Sequence, residues 1–447
     1  MNIRMLRLGI AATFLSFAVC TAVRAESPYK LSDGVVRQSS EKGAKEAYLE
    51  MIVNSSHAAN LLALPDGDLL VTYYAGIYER GADESIVLSR LPKGATKWTR
   101  PEVVSHHEDW ANQNPLLFLA PDGTVWLFHT TQHGDQQHDI VYGLKSTDQG
   151  HTWSEPITVF PQPGLYTRQP LVVFHDQWLF PVYHSAGGSI TSNAQKDHSY
   201  VEISSDVGKT WKECDVPGSG GFVQMNIIPL SESRLIAFFR SRYADWIYQS
   251  ESSDGCTWTT PKATQLPNNN ASIQATRLKN GHLLMIFNNT QAELKPEHAD
   301  TGSRRILSIA ISEDDGKTWP WIRDLENPSI SQPILPLEDA EYSYPSVTQS
   351  ADEKIHVAYT FRRETIKHMT FSEEWIRHGS TQGGKPQDAR HEGVASLMPY
   401  NEREGRHAHL SVTEKLETFS ELAAVESAYG NNALLHSTAR STLSRPL

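Results

Sequence analysis

The chain has 447 residues, a hydrophobic share of 39%, 28 glycines and 24 prolines, enough for one large turn-rich domain plus smaller extras. Its formal net charge of −12 argues against nucleic acid or an anionic membrane surface as a partner. A small anionic ligand is not excluded, because a local group of arginines can hold one.

Residues 1–25 read as a cleavable signal peptide. Met1 to Arg7 carries basic residues, Leu8 to Val19 is apolar, and Val23-Arg24-Ala25 suits cleavage after Ala25. The apolar run is too short for a membrane span, and Phe17-Ala18-Val19-Cys20 is a poor lipobox. The expected location is therefore periplasmic or secreted. Cys214 and Cys256 remain in the mature chain; an exported location permits a bond between them, and nothing in the sequence requires one. Residues 26 to about 50 are polar and are the expected source of a strand that closes a ring against the last sheet.

From Ser56 the pattern is strand, turn, strand. Apolar residues flank Pro65-Asp66-Gly67, then Pro121-Asp122-Gly123 between Leu116 and Phe128. The pattern returns around Asn280-Gly281, between Ala275 and Phe287, and around Asp352, between Ser346 and Tyr359. Interleaved with these hairpins is a second motif, Ser146-Thr147-Asp148-Gln149-Gly150-His151-Thr152-Trp153. It recurs from Ser204 to Trp211 and from Ser312 to Trp319, with a copy one residue shorter from Ser252 to Trp258. In S-x-D-x-G-x-T-W the Asp can tie down turn N–H groups, Gly can take positive φ, and Trp can anchor the turn. The tryptophans lie 58, 47 and 61 residues apart, and Trp98 and Trp375 extend the series by 55 and 56. A period near 50 residues signals a propeller or solenoid. Six anchors predict an all-β fold, a six-bladed β-propeller over residues 26–376. Residues 377–447 read as a poorly ordered extension, with a possible short helix from Val412 to Tyr429.

These repeats resemble the Asp-box of the BNR/Asp-box sialidase-like family, in particular its secreted bacterial branch, over roughly residues 45–376. The runs Asn112-Gln113-Asn114-Pro115, Arg240-Ser241-Arg242, Tyr342-Ser343-Tyr344-Pro345-Ser346 and Arg362-Arg363-Glu364-Thr365 are of that kind. The resemblance implies an exported exo-glycosidase, a glycoside hydrolase similar to exo-α-sialidases, that removes a terminal acidic sugar such as sialic acid from glycans. Its partner would be a glycan carrying a carboxylate, with no cofactor and no metal. Of the three arginines that the family turns on a sugar carboxylate, the second matches Arg240 and the third Arg304 or Arg305, with Arg242 converging on the same group. His57 stands where the first is expected. The nucleophilic tyrosine falls on Tyr344, with Tyr342 as neighbour, and its usual glutamate partner is replaced by Gln224. The acid/base aspartate matches Asp83, and Glu79 competes for that place.

Two substitutions touch the chemistry. Gln224 cannot act as the base for a phenol whose ordinary pKa is near 10. His57 offers a point donor, often neutral, in place of a bidentate clamp. Two alternatives therefore stand beside the hydrolase. One is a propeller lyase acting on uronic acids, for which His57, His129, His184 and Tyr166 are candidate bases; the other is a glycan-binding propeller without catalysis. Arg168 also falls at a strand end of the third unit.

Overall fold

The computed structural model describes residues 32–132, 134, 136–160, 162–186, 196–292, 302–327, 341–380 and 390–391. The signal peptide, nearly all of the 377–447 extension and the expected 412–429 helix lie outside the described residues. No described helix is long and apolar enough to cross a membrane.

Six antiparallel sheets follow one another along the chain as the blades of a propeller. Blade 1 runs outward through Ser55–Ala63, Leu69–Gly76, Ser85–Leu91 and Glu102–Ser105. Blade 2 uses Ala111–Leu119, Val125–Gln132, Ile140–Ser146 and Ile157–Phe160. In blade 3 the inner place is shared by Leu165–Tyr166 and Val172–Phe174, both paired with Gln177–His184, followed by His198–Ser204 and Lys212–Asp215. Blade 4 is Phe222–Ser231, Arg234–Ser241, Trp246–Ser252 and Lys262–Pro267; blade 5 is Gln274–Arg277, Leu283–Asn288, Leu307–Ser312 and Trp321–Glu326. Blade 6 supplies three strands of its own, Tyr342–Gln349, Ile355–Phe361 and Thr365–Phe371. Its fourth strand is Lys45–Tyr48 from the start of the domain, in register Lys45 with Thr370 and Tyr48 with Lys367. The ring is thus closed by the polar N-terminal segment, as its position in the sequence led us to expect.

Inner strands have one edge facing the channel, where backbone groups would lack ladder partners. Side chains from neighbouring blades answer this need. Leu61 N donates to Ser346 Oγ (2.8 Å) and Leu117 N to Asn60 Oδ1 (2.9 Å); Ala275 N and Val347 N donate to Asn226 Oδ1 and Gln274 Oε1, each at 2.5 Å. Between the blades lie the apolar clusters of the core, for instance Ile236, Phe238, Leu283, Met285 and Trp319 at the junction of blades 4 and 5.

Each Asp-box closes the turn between the third and fourth strands of its blade. In the first, Asp148 Oδ1 accepts from Thr152 N (2.9 Å) and Oδ2 from Thr152 Oγ1 (2.6 Å), while Ser146 Oγ accepts from Gly150 N (2.7 Å). The same bonds recur at Asp206, Asp254 and Asp314. Three copies use two successive left-handed residues, such as Gln149 (φ 60°) and Gly150 (φ 84°); the shorter copy has Gly255 (φ 81°) in that role. A Cβ on Gly150 would approach Leu70 Cδ1 to 2.8 Å, so glycine is required there for space as well as for φ.

Trp375 departs from the expected turn series. It lies in a short helix, Glu373–His378, N-capped by Ser372, and is buried. The outer place of blade 6 is already taken by Lys45–Tyr48, so the chain needs no third-to-fourth-strand turn here and leaves by a helix instead.

Cys214, on the outer strand of blade 3, is bonded to Cys256 in the Asp-box turn of blade 4. The bond ties neighbouring blades across 42 residues of chain. Replacing both cysteines by serine is expected to lower stability by about 2–4 kcal/mol, read by denaturant unfolding. An unchanged midpoint would show that the blade 3–4 seam holds without it.

Candidate functional site

At one end of the propeller, loops joining second to third strands meet the segments that carry the chain from blade to blade. The Asp-boxes lie at the other end, so their aspartates are turn-formers remote from this face. Inner strands begin at the site end, and four of them begin with a bulge. The pairing register slips between His57 and Asn60, Gln113 and Leu116, Val223 and Asn226, and Ser343 and Ser346. Within these bulges Ala58, Asn114, Gln224 and Tyr344 take φ of 61°, 50°, 55° and 51°. Asn270 (φ 60°) occupies the matching place just before the inner strand of blade 5. Left-handed backbone at non-glycine residues is costly, and bulges re-aim side chains next to functional sites.

The bulge in blade 6 brings Tyr344 among arginines from other blades. Arg240 Nη1 donates to Tyr344 Oη at 2.7 Å, and Arg240 Nε donates to Asn270 Oδ1 at 2.9 Å. The guanidinium carbons of Arg168, Arg304 and Arg240 lie 5.2, 5.4 and 5.8 Å from the Tyr344 ring centroid. His57 packs on the same ring with centroids 4.2 Å apart. Only 8% of Tyr344 is exposed. Burial pushes its phenol up, but Arg240 and Arg304 outweigh burial and set it below the ordinary value of 10. Among the described residues no carboxylate reaches the phenol oxygen.

Around this centre runs an ionic chain. Arg304 Nη1 pairs with Glu341 Oε1 (2.8 Å), Arg363 Nε with Glu341 Oε2 (2.7 Å), and Arg363 Nη1 with Glu79 Oε2 (2.5 Å); Tyr74 Oη donates to Glu79 Oε1 (2.9 Å). Burial opposes ionisation of Glu341, yet Arg363 and Arg304 hold it well below the usual carboxylate range. Arg242 pairs with Asp197 (Nη2 to Oδ2, 2.9 Å), which keeps it charged despite burial. Asp245, the acid that the sequence places nearest to Arg242, is instead bonded to Ser241 and Tyr248.

Of the residues singled out in the sequence, the structure gathers Tyr344, Arg240, Arg304 and His57. Arg304 rather than Arg305 stands over the phenol; Arg305 Nε donates to Ser303 Oγ (3.1 Å). Tyr342 is not at the centre. It packs in the apolar cluster between blades 5 and 6, 5.2 Å from Phe361. Residues two apart share a face on a regular strand; here Tyr344 lies in the bulge with φ 51°, and the two phenols part. Asp83 is exposed, and its Oδ2 caps Ile77 N at 2.5 Å, so it shapes the 77–84 loop, while Glu79 reaches into the ionic chain. Gln224 Oε1 and His57 Nε2 are buried without a hydrogen-bond partner among the described residues. Burial, then the charge of Arg363, hold His57 well below its ordinary value, so its imidazole is neutral. His57 Nδ1 lies 2.8 Å from Thr360 Oγ1. His129 is buried against Ser105 (2.9 Å) and Tyr142, a packing role.

Glu341, Arg363 and Asn270 were missed in the sequence. Pro115 and Pro345 mark the bulges beside Asn114 and Tyr344, where a missing N–H breaks the ladder, but no such signal stands beside Glu341, Arg363 or Asn270.

Glu84 lies beneath the 77–84 loop, fully buried, with Gln113 Nε2 3.1 Å from its Oε2. Burial, reinforced by the charge of Glu79, pushes it well above the ordinary carboxylate value. Folded protein then keeps a proton that unfolded protein loses, and stability falls as pH rises above about 4.3, the ordinary glutamate value. Glu84→Gln removes that penalty. The difference in Tm, variant minus parent, is expected to grow between pH 4.5 and 8; a difference independent of pH would show that Glu84 titrates normally.

The profile of the BNR repeat-like domain family matches residues 67–357. Among solved structures, a Hadza microbial sialidase superposes with a TM-score of 0.55 and 18% identity, covering 72% of this chain and 66% of that one. An intramolecular trans-sialidase from Ruminococcus gnavus gives 0.57 and 14%, covering 74% and 97%. The leech intramolecular trans-sialidase gives 0.57 and 12%, covering 73% and 69%. The chain thus spans just under two thirds of the Hadza enzyme, and at these identities the likeness is one of fold. No curated protein sequence matches the chain.

Proposed function

The chain belongs to the family of BNR repeat-like domains, and from that premise we propose that it is a glycoside hydrolase of the sialidase-like kind, removing a terminal acidic sugar. The observation that carries this reading is the phenol of Tyr344, held by Arg240 at 2.7 Å inside a ring of three guanidiniums. Such a site suits an anion, since among the described residues Arg240 has only neutral side-chain partners, Asn270 and Tyr344. Arg240 anchors the sugar carboxylate, with Arg304 beside it. Tyr344 attacks the anomeric carbon, and the arginines replace the missing glutamate by stabilising the phenolate rather than by taking its proton. Asp83, exposed on the 77–84 loop, protonates the leaving oxygen. It then takes a proton from the water that breaks the bond between the sugar and Tyr344, releasing the free sugar and the phenolate. Glu79, paired with Arg363 and Tyr74, stays an ionised support.

Export is part of the reading. The basic and apolar N-terminus supports it, and so does the Cys214–Cys256 bond, which suits an oxidising compartment.

One observation favours a second reading. With no carboxylate at its oxygen among the described residues, Tyr344 also suits a proton-abstracting phenolate, as a uronate lyase needs. Incubation with sialosides and with uronate-containing oligosaccharides, read by product mass, separates the cases. Free acidic sugar marks hydrolysis, an unsaturated ultraviolet-absorbing product marks elimination, and binding without product removes both enzyme readings.

A further inference from the structure

Arg168 has no place in the arginine set carried over from the family resemblance, yet it is among the most buried cations of the molecule. Only 1% of it is exposed. Its guanidinium forms no ion pair among the described residues. It donates from Nε to Ser272 Oγ (3.1 Å), from Nη1 and Nη2 to Ala59 O (3.3 and 3.2 Å), and from Nη2 to Pro345 O (3.2 Å). A buried charge without a counter-ion is expensive. Neutral acceptors make it tolerable here, but they do not cancel its field.

The acceptors are not scattered. Ala59 follows Ala58, the left-handed residue of the blade 1 bulge, and Pro345 follows Tyr344, that of blade 6. Ser272 stands two residues beyond Asn270, whose amide orients Arg240. One fork from blade 3 therefore holds the three backbone distortions that aim His57, Tyr344 and the Arg240 support into the site. The same guanidinium lies 5.2 Å from the Tyr344 ring.

We propose that Arg168 is a positioning residue for Tyr344, pinning the bulges of blades 1 and 6 and the segment that leads into blade 5, and setting an unneutralised positive charge against the phenol ring. The proposal rests on Tyr344 being the reacting group. With four donated bonds going to Ser272, Ala59 and Pro345, Arg168 acts through Tyr344 rather than by gripping substrate. A guanidinium in that place favours the phenolate over the phenol, and its removal raises the pH at which Tyr344 ionises.

The test compares parent, Arg168→Met, Arg168→Lys and Tyr344→Phe. Tyr344 ionisation is followed without substrate by ultraviolet phenolate difference spectra against Tyr344→Phe. The parent should ionise below pH 10, and Arg168→Met should move the transition upward by about one pH unit or more. Arg168→Lys, which keeps the charge and loses the fork, should keep most of the low transition. With an acidic glycoside, both variants should lose kcat by about ten- to a hundredfold, the expected cost of a misplaced reacting group, with KM little changed. An unmoved transition in Arg168→Met, or a raised KM at unchanged kcat, overturns the proposal. If Arg168→Met does not fold, a parent transition at or above pH 10, or one in Arg168→Lys displaced as far as loss of charge predicts, overturns it instead. Because the titration needs no substrate, a shifted phenol without turnover would sink the glycosidase reading and leave the electrostatic role of Arg168 standing.

Discussion

Tyr344→Phe is expected to lower turnover of an acidic glycoside by about 10⁴- to 10⁶-fold, the scale seen when one member of a catalytic set that acts as a unit is removed. The fold should survive. The ring keeps its contact with His57 and its three guanidinium neighbours, and only the oxygen that accepts from Arg240 is lost. The loss should fall on kcat, because the phenol oxygen serves the bond being made rather than the carboxylate being held. A variant with wild-type kcat would leave Tyr344 as a packing residue.

The second large effect is expected at Arg240. Arg240→Met should reduce kcat/KM by about 10²- to 10³-fold, since truncating one side of a buried charge pair costs roughly 2–5 kcal/mol. It should also move the pH dependence. If the phenolate is the reactive form, rate rises with pH through the Tyr344 ionisation, which lies below 10 in the parent. Removing the adjacent cation raises that ionisation, so the rising limb shifts to higher pH. Arg240→Lys keeps charge but not the two-pronged geometry by which Nε holds Asn270 and Nη1 holds Tyr344, and should recover the pH limb better than the affinity. A pH profile unmoved in Arg240→Met would contradict the electrostatic account of Tyr344.

The architecture was legible because it repeats. Four Asp-boxes, 47 to 61 residues apart, carry the blade period, and a polar segment before Ser56 is where a ring-closing strand is needed. The site was legible only in its main members, since its assembly is non-local. Glu79 and Arg363 stand 284 residues apart in sequence and share one ion pair. Choosing Arg304 over Arg305 required the placement of both side chains around Tyr344. The bulge that parts Tyr344, already favoured in the sequence, from Tyr342 rests on a left-handed φ that nothing in a single sequence prints. Asp83 and Glu79 share one loop, and only coordinates show which carboxylate caps the backbone and which turns inward. Trp375 fitted the spacing of a turn anchor but not its residues, and the missing Asp and Gly were the sign that another element holds it.

The most direct test is to trap the reacting residue. Incubating the protein with acidic 2-deoxy-fluoro or 3-fluoro glycosyl fluorides, which slow breakdown of a glycosyl-enzyme, and mapping peptides by mass should find one sugar on the peptide that contains Tyr344, and none in Tyr344→Phe. A sugar attached elsewhere, or turnover of acidic glycosides with Tyr344 never modified, would contradict a phenol made reactive by buried arginines.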